Sequence, residues 1–210
     1  MTLADILQKA LKEGWATGHF NFSELDQMRA IVEACHEIKS PAIIGLSEGE
    51  RKHMGLKEAV VLRDVLREKY GIPVFLNADH SKSVETAKEA IDAGFDSVHI
   101  DLSALPFEEN LAGTKEVVQY SKQKINIEGE LGYLKGESKI QNEKITINPE
   151  DYTKPEDAEK FVRETGVDRL AVVVGNIHGI SLDEPSLDIN RIKEISKTEK
   201  RGNVFFIDGL

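Results

Sequence analysis

The sequence predicts an α/β protein in which a parallel sheet is covered by helices on both faces. Short apolar runs of strand length alternate with longer segments whose apolar residues recur at helical spacing, seven of each over 210 residues. Most of the apolar runs end in a polar side chain, as strands do at the ligand-binding end of a barrel or a doubly wound sheet. Both architectures fit this pattern, although no Gly-x-Gly-x-x-Gly follows the first strand, which disfavours a dinucleotide-binding sheet.

The seven predicted helices each carry one apolar face, and most of them start or stop at a residue that favours a helix end. Gly14, Gly94 and Gly166 follow three of them, and a proline lies at the start of two others. In chain order, the predicted helices cover residues 2–13, 23–40, 55–69, 83–93, 106–121, 155–166 and 187–198.

The seven predicted strands are short and largely apolar. In chain order they cover residues 16–21, 42–46, 72–79, 97–101, 124–130, 170–174 and 204–207. The third is the most informative, because its apolar run ends in Asp79 and His80 just before a helix begins. The polar segment 131–154 is longer than an ordinary connection and is predicted to be an active-site lid, with a short β excursion at 144–147.

The composition predicts one soluble globular domain that spans residues 1–210. Hydrophobic residues make up 40% of the chain and charged residues 30%, as in ordinary soluble proteins. The net charge of −10 disfavours nucleic acid or an anionic membrane as a partner. The one cysteine, Cys35, excludes an intrachain disulfide, and neither a signal peptide nor a run of 18 apolar residues is present, so we expect a cytoplasmic protein.

The polar residues at the predicted strand ends indicate a metal site if the strands close into a barrel. They are Asn21, Ser47, Asp79, His80, Asp101, Glu130, His178 and Asp208. Two imidazoles with several carboxylates would carry a large negative charge, which a divalent cation would balance. Imidazole favours zinc or another first-row metal over magnesium. The glycine-flanked segment 175–179 offers backbone N–H groups that could hold a phosphate, and a small monovalent cation could lie near that phosphate.

The remaining histidines are predicted to have ordinary roles. His36 and His53 lie in helical segments and are expected at the surface. His19 and His99 lie in predicted strands, where a packed or hydrogen-bonded side chain is expected.

Five segments of the chain resemble the class II, metal-dependent ketose-bisphosphate aldolases, in the same order and with compatible spacing over essentially the whole chain. The segments are 77–80 (Asn-Ala-Asp-His), 93–101, 105–110, 127–132 and 175–179. Each is short, but five in register are specific to this family. The resemblance implies a (β/α)8 TIM barrel that uses zinc to cleave a ketose 1,6-bisphosphate, of the fructose or tagatose type, reversibly. The products would be dihydroxyacetone phosphate and glyceraldehyde 3-phosphate, formed through a metal-stabilised enediolate in a homodimer or homotetramer.

The resemblance also implies roles for individual residues. His80 and His178 resemble two of the three metal-binding histidines, and Asp101 and Glu130 resemble acidic residues that hold the metal in a deeper position. Asp79 resembles the acid that exchanges a proton with the substrate hydroxyl. The polar groups that resemble substrate or phosphate contacts are Asn21, Ser47, Gly179 and Gly209.

The chain departs from the family pattern at three places. Asp208 stands where the third metal-binding histidine is expected, and Ser138 stands where the lid glutamate is expected, with Glu137 beside it as the replacement base. The sequence also stops after the seventh predicted strand, so we expect a barrel whose C-terminal part is missing. These departures leave two alternatives open: a sugar-phosphate-binding barrel without catalysis and, less in keeping with the motifs, a metal-dependent hydrolase.

Overall fold

The structure is a computed structural model, which describes residues 1–132, 136–140, 148, 151–180, 186–198 and 204–206. The helices are α1 (Leu3–Glu13), α2 (Leu25–Glu37), α3 (Glu48–Met54), α4 (Leu56–Tyr70), α5 (Val84–Ala93), α6 (Phe107–Ser121), α7 (Pro155–Thr165) and α8 (Ile189–Thr198). The strands are β1 (His19–Asn21), β2 (Ala42–Leu46), β3 (Val74–Ser81), β4 (Ser97–Ile100), β5 (Asn126–Leu131), β6 (Gly136–Ile140), β7 (Arg169–Val172), β8 (His178–Ile180) and β9 (Val204–Phe206).

Seven of the strands form one parallel sheet in the order β1-β2-β3-β4-β5-β7-β9. In this sheet, neighbouring strands follow one another along the chain. The two strands left out, β6 and β8, pair with each other in a second, two-stranded parallel sheet. The main sheet is curled. Arg169 on β7 donates to Asn77 Oδ1 on β3 at 3.4 Å, although β4 and β5 lie between these strands in the sheet. The prediction of a parallel, barrel-like α/β fold is confirmed.

The two faces of the curled sheet differ in chemistry because side chains alternate along each strand. The outward side chains pack with the helices in the main apolar core, and examples from successive strands are Ile44, Leu76, Val98, Ile127 and Leu170. Each of these five residues is fully or almost fully buried. The inward side chains of the same strands are available to fill the barrel interior and to form a site.

Helix α1 packs beside the amino-terminal ends of the strands. Thr2 and Asp5 form a capping box at its start, and Gly14 ends it with a φ of 73°. Its buried face meets the second residues of β2 and β3 in a separate apolar cluster that comprises Leu3, Ile6, Leu7, Ile43 and Phe75.

The middle of the barrel interior is filled by a polar layer instead of aliphatic side chains. Arg169 is fully buried and pairs with Glu128, with 3.0 Å between Nη1 and Oε2. Its Nε donates to Asn126 Oδ1 at 2.6 Å. Asn77 Oδ1 also accepts from Ser97 Oγ at 2.6 Å. A buried ion pair requires such additional hydrogen bonds, because removing two charges from water is costly.

The structure corrects several predicted elements. Helix α3 lies outside the seven predicted helices, because the sequence Glu-Gly-Glu-Arg-Lys-His-Met has no apolar periodicity, although His53 was expected in a helical segment. The first strand is limited to His19–Asn21, and the strand predicted at 170–174 ends at Val172. The described residues contain nine strands and eight helices instead of seven of each. The β excursion predicted at 144–147 lies outside the described residues. None of the described helices is both long and apolar enough to cross a membrane.

Candidate active site

The candidate site lies at the carboxyl end of β3, where the sequence reads Asp79-His80. Consecutive residues of a regular strand point to opposite faces, so a regular β3 would separate these two side chains. The register with β4 shifts between Ala78 and Ser81, and His80 has a φ of 42°. This left-handed backbone turns the His80 ring toward the groups that surround Asp79. A non-glycine residue in this conformation costs about 1–3 kcal/mol, which the surrounding structure must offset.

Asp79 is held by side chains from β1 and β4. Asn21 Nδ2 donates to Asp79 Oδ2 at 2.9 Å, and the Nδ1 atom of His99 lies 3.6 Å from Oδ1. Burial of Asp79 opposes its ionisation, but the neighbouring His99 ring and the charges on His19 and His80 lower the pKa of Asp79 below its ordinary value. Asp79 is therefore a carboxylate at neutral pH.

His80 faces two acidic residues from the next two strands. Its Nδ1 lies 2.7 Å from Asp101 Oδ2 and 3.5 Å from Glu130 Oε2. The His99 ring lies beside it, with the two ring centroids 4.4 Å apart. The structure therefore brings together five of the residues that the sequence predicted for the site: Asn21, Asp79, His80, Asp101 and Glu130.

His99 belongs to this cluster, although the sequence predicted only a packed or hydrogen-bonded histidine. The residue is 2% exposed, and its Nε2 lies 3.1 Å from Glu130 Oε2. Burial disfavours the charged form of the ring, but the charge of Glu128 and the adjacent Asp79 and Glu130 raise the pKa of His99. Strand alternation was the available signal, because it places His99 on the same face as Asp101.

The donor atoms of the cluster fit a divalent metal ion. Two sets of three residues share His80: one contains Asp79 and His99, and the other contains Asp101 and Glu130. Within each set, one ligand atom from each residue lies within 4.8 Å of the other two. Tetrahedral zinc with bonds of about 2.0–2.2 Å places neighbouring ligand atoms ~3.3 Å apart. Within the two sets, the distances of 3.6 Å from His99 to Asp79 and 3.5 Å from His80 to Glu130 are close to that value, whereas His80 and Asp101, at 2.7 Å, are directly hydrogen-bonded.

Glu130 provides a second test of the fit. Its Oε2 atom is buried, with the Nε2 atom of His99 at 3.1 Å and the Nδ1 atom of His80 at 3.5 Å. A buried carboxylate needs a positively charged or hydrogen-bonding partner, and a divalent cation held between this oxygen and the imidazole nitrogens would be such a partner.

The side chains around Asp101 stabilise its ionised form. Lys82 Nζ contacts Asp101 Oδ2, and Ser103 Oγ donates to Oδ1 at 2.6 Å. Burial opposes ionisation, but the hydrogen bond with His80, the charge of His99 and the contact with Lys82 lower the pKa of Asp101. The site thus contains carboxylates that stay charged and can bind a cation at neutral pH.

Ser47 has a structural role in the described contacts. Its hydroxyl accepts from the Glu50 backbone N–H at 3.4 Å, and the Glu50 carboxylate accepts from the Ser47 N–H at 2.7 Å, which forms a capping box at the start of α3. The same carboxylate accepts from Asn21 Nδ2 at 3.3 Å. Ser47 is therefore linked to the site through Glu50, which the sequence did not indicate, and its substrate contact stays a prediction.

The other predicted site residues lie beyond β5. Glu137 lies in β6, and His178 and Gly179 lie in β8, where His178 pairs in register with Gly136. The pairing joins the predicted lid segment to the predicted metal-binding strand end. The roles of these residues stay predictions. Asp208 and Gly209 lie outside the described residues.

Solved structures of aldolases share this fold. The YdjI aldolase from Escherichia coli K12 superposes with a TM-score of 0.84 at 29% identity, over 99% of this chain and 72% of the other. A fructose-bisphosphate aldolase from Campylobacter jejuni superposes with a TM-score of 0.77 at 27% identity, over 93% of this chain and 63% of the other. These similarities confirm the architecture of a TIM barrel.

Sequence comparisons agree with the structural ones. The fructose-bisphosphate aldolase of Staphylococcus aureus is 38% identical over 199 residues, which cover 93% of this chain and 68% of that protein. The aldolase of Geobacillus stearothermophilus gives the same identity and coverage. A family profile described as fructose-bisphosphate aldolase class-II matches residues 1–205. Together with the acidic, histidine-containing site at the strand ends, these matches show that the chain belongs to the class II fructose-bisphosphate aldolase family.

Proposed function

We propose that the protein cleaves fructose 1,6-bisphosphate reversibly into dihydroxyacetone phosphate and glyceraldehyde 3-phosphate, with zinc or another divalent first-row metal as its cofactor. The observation that carries the proposal is the convergence of Asp79, His80, His99, Asp101 and Glu130 at one end of the sheet. Carboxyl ends of barrel strands are where catalytic groups assemble in TIM-barrel enzymes. Family membership supports a phosphorylated sugar as the substrate.

We assign the metal to His80 and His178, together with Asp208 in place of a third histidine. Asp101 and Glu130 would hold the ion in a deeper position, where they face His80 at 2.7 and 3.5 Å. When bound, the ion would act as a Lewis acid, which withdraws electron density from the substrate carbonyl. The negative charge of the surrounding carboxylates favours its binding.

Asp79 is the proposed proton carrier for the hydroxyl at the bond that breaks. In the cleavage direction a carboxylate removes the proton from this hydroxyl, and in condensation the acid returns it. The lowered pKa of Asp79 keeps it in the form that accepts a proton. The hydrogen bond from Asn21 at 2.9 Å fixes its orientation.

The remaining assignments concern the second proton and the phosphates. Glu137 on the lid segment is the proposed base that exchanges a proton with dihydroxyacetone phosphate. Asn21, Ser47, Gly179 and Gly209 are proposed substrate contacts, and a monovalent cation could lie near the phosphate beside Gly179. The backbone N–H groups of the glycine-rich turn are suited to bind the phosphate.

We further propose a cytoplasmic homo-oligomer, a dimer or a tetramer, in which residues 1–210 form one barrel domain. The net charge of −10 disfavours nucleic acid and anionic membranes as partners. These proposals rest on composition and family membership.

A coupled assay for triose phosphate tests the function. We expect zinc-loaded protein to cleave fructose 1,6-bisphosphate and a chelator to abolish the cleavage. Asp79→Ala should lower kcat at least about 100-fold, because general acid–base groups contribute roughly that much, while zinc stays bound. Asp92→Ala is the matched control, since Asp92 is an exposed helical carboxylate that accepts from Tyr120 at 3.0 Å.

Equal cleavage by Asp79→Ala and the wild type would contradict the role of Asp79. Binding of the sugar bisphosphate without any cleavage would favour the sugar-phosphate-binding barrel instead.

A further inference from the structure

Arg51 is a buried cation that lies directly behind the candidate site. It extends from α3, is 5% exposed, and reaches the carboxyl ends of both β2 and β3. Its Nη1 donates to the backbone carbonyls of Leu46 at 2.7 Å and Asp79 at 2.8 Å, and its Nη2 donates to Ser81 Oγ at 3.2 Å. The Glu48 carboxylate lies 3.9 Å from Nη2. Most of the donors of Arg51 are thus directed at strand ends and not at a carboxylate.

The contacts of Arg51 surround the irregular part of β3. Asp79 and His80 fall between the two registers of the β3–β4 ladder, and Leu46 is the last residue of β2 to pair with β3. The left-handed φ of 42° at His80 lies between the two points that Arg51 contacts, the Asp79 carbonyl and the Ser81 hydroxyl. One planar guanidinium therefore bridges the strained residue from both sides.

The irregularity determines whether the site can form. It places the Asp79 carboxylate and the His80 ring in one cluster, with His80 Nδ1 at 2.7 Å from Asp101 Oδ2. The Ser81 carbonyl then accepts from the Asp101 N–H at 2.9 Å, which joins the two strand ends again. If β3 relaxed to a regular strand, His80 would point away from Asp79.

We propose that Arg51 is a positioning residue, which fixes the backbone at Asp79 and His80 so that both side chains face the metal and the substrate. This inference rests on the proposed function, because the metal and the substrate are those of the proposed reaction. It adds to that function a residue that contacts neither metal nor substrate and acts through the carbonyl of Asp79. Partners that orient metal ligands in this indirect way typically change metal affinity or activity by about 10–100-fold when they are replaced.

A second buried arginine provides a matched control. Arg63 on α4 is 6% exposed and also donates to a backbone carbonyl, that of Gly94 at 3.0 Å, and it pairs with Asp96 at 2.7 Å. Asp96 precedes the first residue of β4, at the opposite end of the strand from Asp101. Replacement of either arginine by methionine removes a buried charge and its hydrogen bonds, but only Arg51 lies at the site.

The experiment compares Arg51→Met, Arg51→Lys and Arg63→Met in the full chain. Amide hydrogen exchange at Asp101 reports whether the end of β3 keeps its contact with β4, and the visible spectrum of bound Co²⁺ reports affinity and geometry at the metal site. We expect Arg51→Met to accelerate exchange at Asp101 by about 10-fold or more and to weaken Co²⁺ binding about 10–100-fold with a changed spectrum. Arg51→Lys should recover part of both effects, and Arg63→Met should show neither.

If Arg51→Met changes the Asp101 exchange rate and the Co²⁺ spectrum no more than Arg63→Met does, the inference is wrong. If Arg51→Met does not fold, the comparison of Arg51→Lys with Arg63→Met decides in the same way. Failure of the wild type to bind Co²⁺ or cleave substrate would contradict the proposed function, whereas the exchange data would still decide the role of Arg51.

Discussion

At the scale of single residues, His99 connects the two halves of the candidate site. It faces Asp79 on one side at 3.6 Å and Glu130 on the other at 3.1 Å. Both of these carboxylates are buried, so the ring separates two charges that would otherwise repel each other. We therefore expect His99 to orient both Asp79 and Glu130 within the candidate site.

Replacement of His99 by alanine should weaken metal binding about 10–100-fold, because Glu130 loses the group that orients it. Isothermal titration with Zn²⁺ measures the dissociation constant. The matched control is His53→Ala, which removes an exposed imidazole from α3. Unchanged zinc affinity in His99→Ala would show that the ring only fills space.

The sequence predicted residues at strand ends more successfully than residues behind them. Asp79, His80, Asp101 and Glu130 could be predicted because a polar side chain after an apolar run is unusual. Arg51 could not, since a charged residue in a short hydrophilic helix normally faces solvent. Its burial follows from how α3 packs on β2 and β3, which the sequence pattern does not reveal.

At the scale of elements, α1 shows that only some residues of a predicted apolar face become buried. In the sequence, Leu3, Ile6, Leu7, Ala10 and Leu11 recur at helical spacing, which predicts one apolar face. In the structure Leu7 is 4% exposed against the cluster with Ile43 and Phe75, whereas Leu11 is 51% exposed. Periodicity predicts which side of the helix is apolar. How much of that side is buried depends on which strand residues pack against it.

The two leucines therefore give a matched pair of substitutions. Leu7→Ala should lower the free energy of unfolding by about 2–4 kcal/mol, because it leaves a cavity between α1 and the strand ends. Leu11→Ala should change it by less than about 0.5 kcal/mol, as is usual for an exposed position. Urea unfolding followed by circular dichroism measures both values, and equal losses would show that α1 does not pack as described.

At the scale of the whole molecule, the residue pattern predicted the parallel sheet, whereas the closure into a barrel was predicted only by the resemblance to class II aldolases. Alternation of apolar runs with helical segments is compatible with both a barrel and an open sheet. The hydrogen bond from Arg169 on β7 to Asn77 on β3 shows the curvature directly. The pairing of β6 with β8 also escaped prediction, because neither segment has the apolar pattern of a strand and neither was predicted to be one.

Metal binding should stabilise the whole fold, because the proposed ligands come from several strands. Zn²⁺ at 100 times its dissociation constant should raise the free energy of unfolding by about 2.7 kcal/mol if it binds only the folded chain. The gain should shrink as the pH falls, because histidine and carboxylate ligands bind metal only when deprotonated. Thermal unfolding with Zn²⁺, with Mg²⁺ and with a chelator at several pH values measures this effect.

Mg²⁺ is the control in that experiment, since an imidazole-containing site favours zinc over magnesium. An equal shift with both ions, or a zinc shift that does not depend on pH, would contradict a histidine-containing metal site.

The ion pair between Arg169 and Glu128 constrains how this protein can evolve. Loss of one charge leaves the other buried without its partner, at a cost of about 3–5 kcal/mol. Natural domains have only about 5–15 kcal/mol of stability, so few lineages could tolerate the intermediate. Arg169 and Glu128 should therefore be inherited as a unit, either both retained or both exchanged for apolar residues.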